Sequence, residues 1–212
     1  MLAQRLSHTA RVVVISQVGL LRMPRWRALP QPKHAAFYEC CYRYCLAQSS
    51  LYRFLHAVLP IEKELRFIEK MLAFGAPQHF VLRKRAIAEQ AAACIAAGVS
   101  QIVTLGAGFD ALALFTARAH PKVSCFEVDT PAMHHHKMNV ARRYFTEIPD
   151  NFHAIGNDFT KRSLHDALSS HPAFSPEKPT LFIAEGVMMY LPSNAVSRLL
   201  EDIRALCPRP FF

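Results

Sequence analysis

The sequence lacks a hydrophobic run long enough to cross a lipid bilayer. Its most apolar stretch, VVVISQVGLL at residues 12–21, is about half the length that a transmembrane helix needs. The small-residue cleavage site of a signal peptide is missing as well. We therefore predict no membrane span and a cytoplasmic location.

Cysteine pairs with the spacing of redox or zinc motifs are also missing. The six cysteines, at positions 40, 41, 45, 94, 125 and 207, form no CxxC pair, which indicates reduced and mostly buried thiols. The run at residues 134–136 is three adjacent histidines, which point in different directions on a helix and cannot all bind one ion. We predict a solvated helix start there, and no metal site.

Acidic residues are scarce at the start of the chain. The formal net charge of the whole sequence is +9, and residues 1–45 supply +6 of it, with Glu39 as their only acid. Such a start fits a transit peptide, a membrane-surface helix, a contact for an acidic partner or a solvated basic helix face, of which the last is favoured. We expect no nucleic-acid partner, and the sequence does not indicate an oligomeric state.

The hydrophobic pattern changes near residue 80. Residues 1–80 contain helical stretches with irregular joints, including a proline-rich break at 24–32. Residues 81–98 predict a helix that ends at Gly98. We therefore expect an N-terminal helical cap or substrate region, residues 1–80, followed by a cofactor-binding α/β domain, residues 81–212.

Four short apolar runs alternate with helical segments in this second region. The runs are QIVTLGAG (101–108), KVSCFEVD (122–129), NFHAIGNDF (151–159) and TLFIAEGV (180–187). A last helix, SNAVSRLLEDIRAL, follows with Ser193 as its predicted N-cap. The repeated strand–helix–strand units predict a doubly wound, mostly parallel, Rossmann-like sheet with helices on both faces. CPRPFF at 207–212 has the pattern of a beginning fifth strand, so we expect the sheet to be incomplete.

Five of the sixteen acidic residues gather at the ends of these runs, where parallel sheets bind ligands. They are Asp110, Glu127, Asp129, Asp158 and Glu185. The glycines of the first run, Gly106 and Gly108, satisfy a dinucleotide fingerprint, and Asp129 follows at the spacing of a ribose-binding acid. Two kinds of nucleoside ligand are therefore open.

Charge distinguishes the two ligands. The pyrophosphate of NAD(P) needs the N–H groups and the positive dipole end of a helix N-terminus, where Asp110 would repel it. S-adenosyl-L-methionine has a sulfonium, an ammonium and no phosphate, and its one carboxylate needs a cation such as Arg83 or Arg85. The acidic edge favours S-adenosyl-L-methionine. An NAD(P)-dependent oxidoreductase and a non-catalytic cofactor-binding fragment are the alternatives.

The segments RKRAIAEQ, QIVTLGAGFD, FEVDTP, NDF and FIAEGVMMYL resemble, in this order, the leucine carboxyl methyltransferase family. This is a branch of the class I S-adenosyl-L-methionine-dependent methyltransferases that includes many bacterial O-methyltransferases. The resemblance covers about residues 80–192. It implies a cofactor site in which Arg83 holds the cofactor carboxylate, Gly106 lies against the cofactor with Gly108 in the same turn, Asp129 binds the ribose, Asp158 and Phe159 flank the adenine, and Glu185 also touches the cofactor.

The family implies an enzyme that moves a methyl group to a carboxylate or hydroxyl oxygen of a small molecule or protein. A carboxylate is ionised near neutral pH and needs no general base, whereas a hydroxyl does need one. Because the sequence contains no recognisable nucleophile–base set, we predict no catalytic residue. The region in which relatives complete the acceptor pocket is expected to be missing.

Overall fold

The protein is described here by a computed structural model that covers residues 6–207, apart from the side chains of residues 51, 52 and 55. The chain divides into two compact units. The first contains Met1–Glu89 and His136–Thr146, and the second contains Gln90–His135 and Glu147–Phe212. The functional division predicted at residue 80 stays a prediction.

The first unit is built from helices. They are α1 (His8–Arg22), α2 (Ala35–Ala47), α3 (Ser50–Val58), α4 (Ile61–Met71) and the greater part of α5 (Ala76–Ala96), with a 3-10 turn at Pro32–His34. Ser7 caps α1, because its side-chain oxygen accepts a hydrogen bond from Ala10 N. Residues 14–20 of the apolar stretch of α1 are buried. Gly19 allows α4 to approach, since a Cβ atom at this position would lie 2.8 Å from Leu65 Cδ2.

The second unit is a four-stranded parallel sheet with helices. Its elements are β1 (Gln101–Leu105), α6 (Leu112–Ala119), β2 (Ser124–Asp129), α7 (Pro131–Tyr144), β3 (Phe152–Gly156), α8 (Leu164–Ser169), β4 (Thr180–Ala184) and α9 (Ser193–Leu206), with a 3-10 turn at Met188–Tyr190; the last part of α7 belongs to the first unit. The strand order is β3-β2-β1-β4, and every pair is parallel. The predicted doubly wound α/β fold is confirmed.

The register of the strands brings their carboxyl ends together. Leu105, the last residue of β1, lies opposite Val128 of β2 and Ala184 of β4. Asp129 lies opposite Gly156, the last residue of β3. The residues that follow all four strands therefore meet at one edge of the sheet. On one side of the sheet, Phe126 and Phe182 join the buried apolar side chains of α8 and α9.

Two predicted helix boundaries are wrong. Helix α5 begins at Ala76 and not at residue 81. Pro77 is compatible with this earlier start, because N–H groups in the first turn of a helix have no intrahelical hydrogen-bond partner and proline lacks only this group. Ser193 is the first residue of α9, and Pro192 holds the cap position without a side-chain hydrogen bond. Gly98 lies two residues after the last residue of α5 and has a φ of 101°, so it terminates the helix as predicted. The expected fifth strand, apart from Cys207, lies outside the described residues.

Within residues 6–207, no helix is both long and apolar enough to cross a membrane. The six cysteines are free thiols, and four of them are buried. The histidine run at 134–136 is not a solvated helix start throughout. His136 is buried, and its Nδ1 lies 2.8 Å from the hydroxyl of Tyr44.

Candidate functional site

The turn after β1 is formed by two glycines with left-handed backbone conformations. Gly106 has a φ of 64° and Gly108 a φ of 54°, values that cost most other residues free energy. Gly106 N donates a hydrogen bond to Val128 O, which ties the turn to β2. A Cβ atom on Gly106 would lie 2.7 Å from the Cβ of Val187, so the packing of the second unit itself requires glycine here.

Asp129 connects this turn to the end of β2. Its Oδ2 accepts a hydrogen bond of 2.7 Å from Gly108 N, and its Oδ1 accepts one of 2.6 Å from Thr130 N. The side chain is thus fixed at the carboxyl edge of the sheet while the residue stays half-buried. A carboxylate has about four acceptor positions, so two of them are left for a ligand.

Asp110 is placed at the beginning of α6. Its Oδ1 accepts a hydrogen bond of 2.9 Å from Leu112 N, and the residue is 8% exposed. A carboxylate in this position compensates the unsatisfied N–H groups and the positive dipole end of the helix. The place that a pyrophosphate would take in a dinucleotide site therefore already holds a negative charge.

Asp158 and Phe159 follow β3. Asp158 Oδ1 accepts hydrogen bonds from the Thr160 hydroxyl, at 2.7 Å, and from Thr160 N, at 3.0 Å. These bonds lower the pKa of the Asp158 carboxyl. The side chain of Phe159 belongs to the apolar core and the residue is 7% exposed. Arg198 donates a hydrogen bond to its carbonyl oxygen.

Two further carboxylates lie on β2 and after β4. Glu185 directly follows β4, is half-buried, and precedes Gly186, which has a φ of 63°. Glu127 is buried in β2, opposite Thr104 of β1. Burial, with a further contribution from the Glu127 charge, raises the pKa of the Cys125 thiol to about 12.

The two candidate arginines lie on α5, in the first unit. The guanidinium of Arg83 lies over the ring of Phe80, with its Cζ 5.5 Å from the ring centre. Arg85 Nε lies 2.9 Å from Glu89 Oε1, in an exposed ion pair between successive turns of the helix. The assignment of the cofactor carboxylate to Arg83 stays a prediction.

Six of the seven predicted site residues thus lie at or directly after the carboxyl ends of the strands in the second unit, and Arg83 lies in the first. Sequence reasoning missed Val187, which packs on Gly106, and Thr130, which binds Asp129 through its backbone. It also missed Thr160, although a Thr two residues after an Asp is a common turn pattern. Packing between distant segments leaves no comparable signal in the sequence.

A glycine turn after β1 and an acid at the end of β2 define the class of doubly wound α/β proteins that bind nucleoside ligands. The family model of leucine carboxyl methyltransferase matches residues 26–204. The chain belongs to this family, as the resemblance of its motifs predicts.

Curated relatives carry names that describe one activity. A protein of Parafrankia sp. (strain EAN1pec), provisionally named an S-adenosyl-L-methionine-dependent methyltransferase, is 32% identical over 128 residues, which are 60% of this chain and 40% of the relative. A protein of Mycobacterium tuberculosis (strain ATCC 25177 / H37Ra) with the same provisional name is 34% identical over 110 residues, which are 52% of this chain and 31% of the relative. The matches therefore span less than half the length of these relatives.

Two solved structures are distant matches. A crystal structure from Thermobifida fusca YX, provisionally named a methyltransferase, gives a TM-score of 0.47 at 15% identity and covers 96% of this chain and 63% of that one. The mitomycin 7-O-methyltransferase MmcR gives a TM-score of 0.40 at 15% identity, with coverages of 95% and 55%. Because both scores are low, the fold assignment rests on the strand order and register.

Proposed function

We propose that this chain binds S-adenosyl-L-methionine at the carboxyl edge of its sheet, as part of a methyltransferase that acts on an oxygen atom. The observation that carries the proposal is the position of Asp129, whose carboxylate is held beside the glycine turn by two backbone N–H groups. Family membership and the names of the relatives support the same ligand.

Asp129 would hold the ribose, because its remaining acceptor positions match two neighbouring hydroxyl groups. The turn at Gly106 and Gly108 lets the backbone approach a ligand closely. Asp158 and Phe159 would border the adenine, where Phe159 offers only the small part of its surface that is exposed. Glu185 would contact the cofactor from β4, and Arg83 would bind its carboxylate.

The negative charge at α6 supports S-adenosyl-L-methionine over a dinucleotide. Asp110 already satisfies a helix N-terminal N–H group, so a pyrophosphate would have to approach a carboxylate there. A ligand with a sulfonium and an ammonium group meets no such repulsion.

When bound, S-adenosyl-L-methionine supplies a methyl group that is activated by its sulfonium. Transfer would form a bond between this methyl carbon and an acceptor oxygen, break the carbon–sulfur bond and leave S-adenosylhomocysteine. A carboxylate acceptor brings its own negative charge, so the protein contributes mainly position and alignment. A hydroxyl acceptor must also lose a proton to a base.

Titration calorimetry with S-adenosyl-L-methionine and, separately, with NAD tests the proposal on the full chain. We expect binding of the methyl donor, and we expect Asp129→Ala to weaken it by about 1–3 kcal/mol, the contribution of charge-assisted hydrogen bonds. Asp129→Asn, which keeps one amide oxygen as an acceptor, should have a smaller effect.

Asp150→Asn is the matched control, because Asp150 is exposed and precedes β3, at the opposite end of the strand. It should bind the methyl donor as the unmodified chain does. Binding of NAD without binding of S-adenosyl-L-methionine would overturn the proposal. If the donor binds but carboxylate and hydroxyl acceptors yield no S-adenosylhomocysteine, the chain binds the cofactor without transferring its methyl group.

A further inference from the structure

Helices α3 and α4, together with the turns that follow them, carry most of the large apolar side chains that are exposed on the described part of the chain. Phe74, in the turn after α4, is 96% exposed, and Phe67 on α4 is 63% exposed. We call this surface the α3–α4 face. Its exposed apolar residues are Phe54, Val58, Leu59, Phe67, Met71, Leu72 and Phe74.

The apolar residues of the α3–α4 face are concentrated at the two turns that flank α4. All residues at 57–60 (AVLP) and at 71–74 (MLAF) are exposed. Turns at a surface normally carry polar residues. Exposed apolar groups at this density mark an interaction surface rather than scattered surface residues.

Helix α4 also presents a row of cations. Lys63, Arg66 and Lys70 are all exposed, and their spacing of three and four residues puts them on one side of the helix. Phe67 and Met71 form the neighbouring row, since each follows one of these cations in the chain. The opposite side of α4 is buried through Leu65 and Ile68.

The charge of this surface selects between kinds of partner. Residues 53–74 contain four exposed cations but only one exposed carboxylate, that of Glu62. The central parts of protein–protein interfaces are poor in lysine. Helices that lie in a membrane interface instead combine lysine and arginine with phenylalanine and leucine, because the cations reach the anionic headgroups while the apolar groups enter the acyl region.

We propose that the α3–α4 face binds the surface of a membrane that contains anionic lipids. The turn at residues 71–74 and Phe67 enter the lipid interface, and Lys63, Arg66 and Lys70 bind the headgroups. The protein then attaches to the bilayer from one side. This inference is independent of the proposed cofactor site, because it uses none of the residues assigned to that site.

Co-sedimentation of the full chain with vesicles tests this attachment. One set of vesicles contains phosphatidylcholine alone, and the other contains phosphatidylserine as well. We expect binding to the second set that weakens as the salt concentration rises. The combined variant Lys63→Gln, Arg66→Gln and Lys70→Gln should bind roughly 100-fold more weakly, since each cation near an anionic surface contributes about fivefold.

A second variant, Phe67→Ser with Met71→Ser and Phe74→Ser, should reduce binding at least about tenfold by removing the inserted groups. Met189→Ser is the control, because Met189 is 77% exposed but lies in the second unit. Circular dichroism shows whether each variant is folded. If the serine variant does not fold, the glutamine variant still tests the proposal, because it changes only exposed lysine and arginine residues.

Absence of binding to phosphatidylserine vesicles at low salt would overturn the proposal. The proposal would also be overturned if the glutamine and serine variants bound these vesicles as strongly as the unmodified chain does. If the chain instead self-associates in sedimentation velocity, and the serine variant abolishes this association while vesicles do not bind, the α3–α4 face is a protein interface and the proposal is wrong.

Discussion

At the scale of single residues, Asp129 shows how a sequence signal and a structural role coincide. Its place at the end of an apolar run and in the FEVDTP motif predicts a ligand-binding acid at the sheet edge. The structure places it there and adds two backbone N–H groups that orient the carboxylate. The bond to Thr130 is local, whereas the bond to Gly108 joins the end of β2 to the turn after β1. The sequence therefore predicts the position of Asp129 but not the orientation of its carboxylate.

Arg83 and Arg85 give a matched pair of variants for the cofactor carboxylate. We expect Arg83→Ala to weaken binding of S-adenosyl-L-methionine by about 1.5–3 kcal/mol, as expected for a lost hydrogen bond to a charged group. Arg85→Ala should leave the affinity unchanged, because Arg85 pairs with Glu89 on the helix surface. Titration calorimetry measures both, and the reverse result would transfer the role to Arg85.

Gly106 is required for two separate physical reasons. Gly106→Ala should destabilise the second unit through its positive φ, by about 1–2 kcal/mol, and through the collision with Val187, by about 1–3 kcal/mol more. Gly75→Ala is the control, since Gly75 has a φ of 79° and a Cβ atom added there would meet no other atom within 4 Å. Equal losses of unfolding free energy in urea titrations would show that the collision is relieved at no cost.

At the scale of elements, helix α8 depends on a carboxylate from another helix. Asp202 of α9 accepts a hydrogen bond of 2.7 Å from Leu164 N, the first residue of α8. Ser163 caps the same helix through Asp166 N. We expect Asp202→Ala to lower stability by about 1 kcal/mol, the usual contribution of a helix cap. Thermal unfolding measures the loss, and Glu201→Ala, at an exposed neighbouring position, should show none.

The predicted elements are correct wherever a periodic pattern decides them. The four strands and the helix before β1 are of this kind, and their order follows from the alternation of strands and helices. The errors lie at boundaries, such as the start of α5 and the cap of α9. The prediction for His136 is also wrong, because its burial depends on Tyr44, 92 residues away in the chain. Contacts of this range have no periodic signature.

At the scale of the whole molecule, a buried titratable group in the first unit makes stability depend on pH. Burial raises the pKa of Glu64 to about 7, and the nearby Arg22 partly opposes this rise. Glu64 lies against Nδ1 of His56, whose distance to the Tyr42 hydroxyl is 2.9 Å. Burial lowers the pKa of His56 in turn. The cluster therefore favours uncharged forms of both groups.

Glu64→Gln tests the consequence for unfolding. The folded chain keeps a proton on Glu64 that the unfolded chain releases above its ordinary pKa of about 4.5. The contribution of protonated Glu64 to the free energy of unfolding is complete below the unfolded-state pKa of about 4.5, and it is lost as the pH rises through the folded-state pKa of about 7. We therefore expect the melting temperature of Glu64→Gln, relative to that of the unmodified chain, to rise between about pH 5 and pH 8.

Glu62→Gln is the control for this series, because Glu62 is exposed on the same helix. Its melting temperature should follow that of the unmodified chain at every pH. A constant difference between Glu64→Gln and the unmodified chain would show that Glu64 titrates alike in the folded and unfolded states.

The contact between Gly106 and Val187 also allows ligand binding at the turn to be followed by NMR spectroscopy. Val187 comes two residues after Glu185, and its side chain packs against the turn that follows β1. A ligand that presses on this turn must therefore change the surroundings of the Val187 methyl groups. With isotope-labelled valine, their resonances would report occupancy of the turn at each point of a titration, even for a compound that is never turned over.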